Sequence, residues 1–190
     1  MGLNRMRAYA ALRPEFGDAV VIATLGYSSW CLYAAAHRES NLYLRGSMGL
    51  GVPVGLGVAL AAPRRRVVVC EGDGSVLMNL GGLATVGACG PPNLTILVFD
   101  DGRYMTTGGQ ATHTRRGADL ARVGLAVGVS SSRTVRDEAS LIEAFTAAGA
   151  APGPHIVVAT CDEPDSRPSA ADMPPPYINV EQVRAQLVVG

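Results

Sequence analysis

Apolar positions along this chain fall into short blocks separated by glycine, proline and charged residues. MGLNRMRAYAALRPEF (1–16) predicts a short amphipathic helix, and DAVVIAT (18–24) is a β-branched run that predicts a strand ending near Gly26. SSWCLYAAAHR (28–38) has helical composition. NLYLRGSMG (41–49) reads as a strand or extended segment entering a glycine-rich turn, and VPVGLGVALAA (52–62) as an apolar helix stopped by Pro63. RVVVCEG (66–72) and LTILVFD (94–100) are apolar without alternation, as in strands covered on both faces. Between them SVLMNLGGLATVGAC (75–89) predicts one helix with Leu77, Leu80, Ala84 and Ala88 on a single stripe. Residues 101–117 form a polar, glycine-rich loop. ADLARVGLAVG (118–128) predicts a helix, SRTV (132–135) a strand, DEASLIEAFTAAGA (137–150) a helix opened by a capping pattern, and HIVVATC (155–161) a strand.

Strands thus alternate with helices, and no internal repeat is present. The pattern predicts an α/β three-layer sandwich, with a mainly parallel sheet and helices on both faces. Residues 1–163 are expected to form the domain. Residues 164–190 read as a Pro-rich linker and a short C-terminal helix, a tail expected to pack on a partner rather than on its own core.

Composition narrows the function classes. The 190 residues suffice for one domain with a proper core. Sixteen basic and sixteen acidic residues give no net charge, and the short Arg64–Arg66 run is no nucleic-acid face. Four cysteines without CxxC spacing indicate neither zinc nor a disulfide framework, and predict a cytoplasmic location by default. The N-terminus has no signal-peptide core. The uncharged run 46–63 carries glycines and Pro53, which favours a buried helix over a membrane span.

In such sheets ligands bind at the carboxyl ends of strands. Two candidate turns fall there: Gly72-Asp73-Gly74-Ser75 and Asp100-Asp101-Gly102-Arg103. The glycines of the first let a bulky anion approach the backbone, and Ser75 with the first free N–H groups of a helix suits phosphate oxygens. A carboxylate beside phosphate makes sense with a cation between them, so Asp73 reads most simply as a magnesium ligand. A dinucleotide fingerprint fails in detail, because Leu77 and Val54 stand where the third glycine belongs.

Twenty-five residues, Ser75 to Phe99, separate the GDG from the Asp100-Asp101 pair. This arrangement resembles the diphosphate-binding motif of thiamine diphosphate enzymes. GSMGLGVPVGLGVAL (46–60), GDGSVLMNLGGLAT (72–85), PNLTILVFDDGRY (92–104) and TGGQATHT (107–114) resemble, in order, the sulfopyruvate decarboxylase β subunit and phosphonopyruvate decarboxylase. The resemblance implies thiamine diphosphate and Mg²⁺ as cofactors. It implies Asp73, Asp101 (usually Asn in the family) and the carbonyl of Arg103 as metal ligands, with Gly72, Gly74 and Ser75 at the diphosphate. Gly26, Tyr27 and Ser28 match an earlier loop that also reaches the diphosphate, and Tyr104 and Met105 follow the metal-binding turn. Met48, beside Ser47, matches the apolar prop under the bent cofactor, and the carbonyl of Gly46 matches the acceptor for its 4′-amino group.

The loop 103–116 offers Arg103, Thr106, Thr107, Gln110, His113 and Arg115 as donors for an anionic tail such as sulfonate or phosphonate. Gln110 and His113 are the catalytic candidates, His113 as a proton donor after loss of CO₂. His37 and His155 read as structural or exposed. The glutamate that protonates the cofactor's pyrimidine in the family has no match in this chain. A separate pyrimidine-binding α subunit is therefore expected to supply it, in a hetero-oligomer of α2β2 type or larger, with a small 2-oxo acid as substrate and no nucleic acid or membrane partner. Three other readings stay open: a carboligase subunit like acetolactate synthase, a nucleotide-binding oxidoreductase domain, and a non-catalytic assembly subunit.

Overall fold

The computed structural model describes residues 2–162, 167–169 and 171–188. Its sheet has six strands, all parallel: β1 (Val20–Ala23), β2 (Asn41–Tyr43), β3 (Val67–Gly72), β4 (Leu94–Asp100), β7 (Ser131–Val135) and β8 (His155–Thr160). Their order is β2-β1-β3-β4-β8-β7, and a separate two-stranded antiparallel ribbon joins β5 (Arg103–Tyr104) to β6 (Gln110–Ala111). The helices are α1 (Arg5–Leu12), α2 (Tyr27–Ala36), α3 (Gly51–Ala61), α4 (Asp73–Met78), α5 (Gly81–Cys89), α6 (Leu120–Ala126), α7 (Glu138–Ala150) and α8 (Pro176–Val188).

The central strands contain few polar residues because both of their faces are covered. Val68 and Cys70 of β3, with Leu97 and Phe99 of β4, meet Tyr9 and Leu12 of α1, Leu32 of α2 and Phe145 of α7. The alternate residues Val67, Val69, Ile96 and Val98 meet Val52 and Leu56 of α3, Leu83 and Val86 of α5 and Leu120 of α6. Each such fully buried aliphatic side chain contributes about 2 kcal/mol relative to exposure. The three-layer α/β expectation is met, and Cys70 is a core residue as its strand context indicates. The chain passes from β1 to β2 on one side and from β3 to β4 on the other, so the connections diverge between β1 and β3. The resulting crevice lies at the carboxyl ends of β1 and β3, where open α/β sheets hold ligands.

Three expectations are corrected. The predicted helix 75–89 is two helices, broken at Asn79-Leu80. Asn79 leaves helical geometry (φ −139°, ψ 56°), and its side-chain amide donates to the Gly49 carbonyl at 2.9 Å. The break rotates the second half, so Leu80, Ala84 and Ala88 face outward while Gly82, Leu83 and Val86 are buried. The tail is not held in reserve for a partner: α8 packs along edge strand β2. Asn179 accepts from the Tyr43 N–H at 2.9 Å and donates to the Asn41 carbonyl at 2.8 Å, and Val183 is buried. The helix thus covers an edge that would otherwise offer free backbone groups. Finally, residues 101–117 carry structure of their own, the β5–β6 ribbon and a 3₁₀ turn over His113–Arg116.

His37 and His155 are structural, as expected. His37 pairs its Nδ1 with the Tyr43 hydroxyl at 2.8 Å, and buried His155 bridges the Ser131 hydroxyl and the Ala151 carbonyl. No helix among the described residues is long and apolar enough to cross a membrane.

Candidate active site

β3 ends at Gly72, and Asp73 is the first residue of α4, which puts its carboxylate at the mouth of the crevice. The carboxylate is 1 % exposed. Oδ2 accepts from the hydroxyls of Thr112 and Thr114, the latter at 3.0 Å. Oδ1 is equally buried and has no hydrogen-bond partner among the described residues. Burial pushes this carboxyl up to about 6, helped by the charges of Asp100 and Asp101 and opposed by the two threonine hydroxyls. A buried acceptor left without a donor costs about 1–3 kcal/mol, so this oxygen is open to a donor or cation beyond the described residues.

The turn after β4 is satisfied internally. Asp100 Oδ1 accepts from the Gly102 N–H at 3.1 Å and lies 2.8 Å from the Thr114 hydroxyl, which links it to Asp73. Asp101 Oδ1 accepts from the Arg103 N–H at 3.0 Å, and Oδ2 pairs with the Arg5 guanidinium at 2.8 Å. That pair is nearly dry, with side chains 5 % and 14 % exposed. Arg5 thus neutralises the Asp101 charge. It arrives on α1, 96 residues away in sequence, and no local pattern announces it.

Beneath the cleft, the Ser75 hydroxyl accepts from the Gly49 N–H at 2.9 Å and lies 3.3 Å from the Thr24 hydroxyl. The side chain expected to face a diphosphate is therefore turned inward. What Gly74 and Ser75 leave for an anion is their main-chain N–H groups, in the first turn of a helix. The Ser75–Gly49 contact and the Asn79–Gly49 contact pin the Gly46–Gly49 turn, in which Ser47 takes a left-handed φ of 65°. Glu71, one residue before Gly72, is fully buried on the α3 side. Burial pushes it up to about 7, with the Ser75 and Thr24 hydroxyls and the Val52 and Gly51 amides favouring its charged form.

Two spaces open at this end of the sheet. The first is a narrow cleft of about 50 Å³ that brings together Tyr27, Ser28, Met48, Gly72–Ser75 and Arg103–Met105, together with Arg5, Thr24 and Thr106. Most of the residues assigned from sequence to the cofactor meet here. The loop closes down on it: the Tyr104 ring lies where a Cβ on residue 74 would stand, and the Thr106 hydroxyl does the same at residue 26, so a side chain at either position would push the loop aside. Gly26 also adopts φ 69° as it starts α2. Gly46 and Ser47 are exposed on their turn and do not line the cleft.

The second space, of about 780 Å³, lies at the carboxyl ends of β4, β8 and β7 and is lined by Arg5, Arg103, Arg115 and Arg136 among others. Of the expected anion donors, Arg103 and Arg115 therefore face one cavity. Gln110 and His113 line neither space. Gln110 is exposed and bonded to Thr107 within the loop, and His113 is exposed at the start of the 3₁₀ turn. Thr112, Thr114 and Arg5 are the site residues that sequence reasoning missed. The Thr-x-Thr spacing at the end of the polar loop was the only local hint.

Hard carboxylate oxygens suit a cation such as Mg²⁺ or Ca²⁺, and the partnerless Asp73 oxygen fits that use. Among the described residues no three His, Cys, Asp or Glu side chains form a cage by themselves. A cation here would complete its shell from a ligand's oxygens, as Mg²⁺ commonly does with phosphates.

A family model described as "Thiamine pyrophosphate enzyme, C-terminal TPP binding domain" matches residues 26–159. The chain belongs to this family. This thiamine pyrophosphate-binding domain is 46 % identical over 140 residues to phosphonopyruvate decarboxylase of Streptomyces viridochromogenes, covering 74 % of this chain and 35 % of that protein. It is 36 % identical over 159 residues to the sulfopyruvate decarboxylase subunit beta of Methanococcus maripaludis, covering 84 % of each. It thus spans about a third of the first relative and most of the second. Its fold matches a thiamine diphosphate-dependent 4-hydroxybenzoylformate decarboxylase of Rhodococcus jostii RHA1, with a TM-score of 0.72 and 22 % identity over 87 % of this chain and 34 % of that one. The nucleotide-binding oxidoreductase reading is set aside by the family match.

Proposed function

We propose that this chain is the diphosphate- and Mg²⁺-binding subunit of a heteromeric thiamine diphosphate-dependent 2-oxo-acid decarboxylase, acting on a substrate with a second anionic group, as sulfopyruvate and phosphonopyruvate have. The observation that carries the reading is the buried, partnerless Asp73 oxygen in the β1/β3 crevice. Similarity to a protein named as a β subunit, over 84 % of each chain, supports the heteromeric part.

When bound, thiamine diphosphate supplies the electron sink for loss of CO₂ from the 2-oxo acid. The chain's residues bind and orient. Asp73 and Asp101, with the Arg103 carbonyl, hold Mg²⁺. The N–H groups of Gly74 and Ser75 take diphosphate oxygens, with the Gly26–Ser28 loop alongside. Met48 supports the cofactor from below, with the Gly46 carbonyl as acceptor for its amino group. Arg103, Arg115 and Arg136 line the larger cavity and orient the substrate's sulfonate or phosphonate. His113 and Gln110 act from the loop, His113 as proton donor, once the loop folds over bound cofactor and substrate. A cytoplasmic α subunit completes the site with the glutamate that this chain lacks.

The test is CO₂ release by the chain co-expressed with a pyrimidine-domain partner, screened with sulfopyruvate, phosphonopyruvate and pyruvate. Turnover of an anionic-tailed acid at least tenfold above pyruvate is expected from charged-group recognition. Preference for pyruvate with acetolactate as product would replace this reading with the carboligase one.

A further inference from the structure

We propose that Glu71 is a positioning residue, whose buried carboxyl holds the Gly46–Gly49 turn in register with the Gly72–Ser75 cradle. What it positions rests on the function proposed above; that it positions the turn does not.

Glu71 is 0 % exposed. It alternates with Val67 and Val69 on β3 and so faces α3, the helix that begins directly after the Gly46–Gly49 turn. Its Oε1 lies against Gly51, the first residue of α3, where any Cβ would collide with the carboxyl. The Gly51 and Val52 amides and the Thr24 and Ser75 hydroxyls surround it, yet among the described residues neither carboxyl oxygen has a partner at full hydrogen-bond geometry. An apolar residue of this size would suit such a place better for stability, so a retained carboxyl points to a demand other than stability.

That demand is legible in the contacts of Ser75. Its oxygen accepts from the Gly49 N–H. Its own proton has two acceptors at hand, the Thr24 hydroxyl at 3.3 Å and the Glu71 carboxyl, and a carboxyl oxygen is the stronger acceptor of the two. With the hydroxyl oriented this way, a lone pair stays directed at Gly49. The turn so held includes Ser47 in the left-handed region, a conformation that persists only where its surroundings over-determine it. It also carries Met48 into the cleft. Glu71 therefore links three segments, β1 at Thr24, the cradle at Ser75 and the start of α3.

Glu71→Gln keeps the shape but presents an N–H donor that competes with Gly49 for the Ser75 oxygen. Gly51→Ala, in a helix that alanine otherwise favours, drives the carboxyl out of its place. The experiment uses the full chain co-expressed with its partner. It measures melting temperature, amide exchange at residues 46–52 without cofactor, and titration with thiamine diphosphate and Mg²⁺. Expected for both variants are faster exchange at Gly49 and binding weaker by about tenfold, as for other outer positioning groups. The melting temperature of Glu71→Gln should not fall. Unchanged exchange with binding within twofold of wild type overturns the proposal. So does weakened binding that comes with a matching fall in melting temperature, the mark of a purely structural role. If the wild-type complex binds no cofactor, the functional reading fails, and the exchange data alone still decide the role of Glu71.

Discussion

The turns after β3 and β4 are neighbours in the sheet, paired residue for residue up to Gly72 and Phe99, and both carry aspartates. They solve opposite problems. At the first, Asp73 is buried with one oxygen unpartnered and its proton held to about pH 6. At the second, every oxygen that Asp101 presents is matched, one by Arg5 and one by the Arg103 amide. The first turn gathers negative charge around an unpartnered oxygen, as the proposed cation site requires; the second is anchored by the chain's own groups. Between them Thr114 is in contact with both Asp73 and Asp100. On the function proposed above, one metal ligand is fixed and one poised, and the loop is tied to the poised one through Thr112 and Thr114.

The largest effect that sharpens this contrast is at the anchored turn. Arg5→Met should destabilise the fold by about 3 kcal/mol, because it strands a nearly buried Asp101 charge. Adding Asp101→Asn should recover most of the loss. Denaturant melts of the two variants decide it, and a double variant no more stable than the single one contradicts the pairing.

Next comes pH. Glu71 and Asp73 hold their protons to about 7 and about 6 in the folded chain, above the ordinary carboxyl range, because burial penalises their charged forms. The folded state then binds more protons than the unfolded state between about pH 4.5 and 7. Stability is therefore fullest at the acid end of that window and falls as pH rises through it, by on the order of 2–3 kcal/mol for Glu71 alone. Glu71→Gln should flatten the slope in melts run from pH 5 to 7.5. An equal slope in the variant would show that Glu71 ionises freely.

The poised turn gives a smaller effect. Thr112→Val and Thr114→Val remove the donors to Asp73, each at a cost of about 1 kcal/mol, and raise its apparent pKa further. Carbon-13 titration of the carboxyl, in protein free of divalent cations, reads the shift. The smallest effect on the fold belongs to His113→Ala and Gln110→Ala, within about 0.5 kcal/mol for exposed loop positions. If His113 donates a proton in the reaction, its variant still loses turnover by about a hundredfold. Unchanged turnover removes it from the mechanism.

These two turns also show what a sequence discloses. Gly72-Asp73-Gly74-Ser75 was legible as a strand end running into a helix start, because each follows from its neighbours. The continuous apolar runs of β3 and β4 disclosed a covered parallel sheet for the same local reason. Arg5, Thr112 and Thr114 were not legible as site residues because their partners lie 96, 39 and 41 positions away. The stripe drawn through Leu77, Leu80 and Ala84 failed because one side chain, Asn79, found a better acceptor on the Gly49 turn than helical continuity offered. The inward turn of Ser75 was hidden likewise, since the Gly49 N–H and the Glu71 carboxyl come to opposite sides of its hydroxyl only once α3 has docked.

The most direct test of the central claim is calorimetric titration of thiamine diphosphate into the co-expressed complex, with and without Mg²⁺, beside Asp73→Asn. The account predicts binding that requires Mg²⁺ and releases protons at pH 6, where the Asp73 carboxyl is still partly protonated. It predicts loss of that binding in the variant by at least about a hundredfold, in a protein that melts no lower than wild type. Equal affinity without metal, or an Asp73→Asn complex that binds as wild type does, would contradict it.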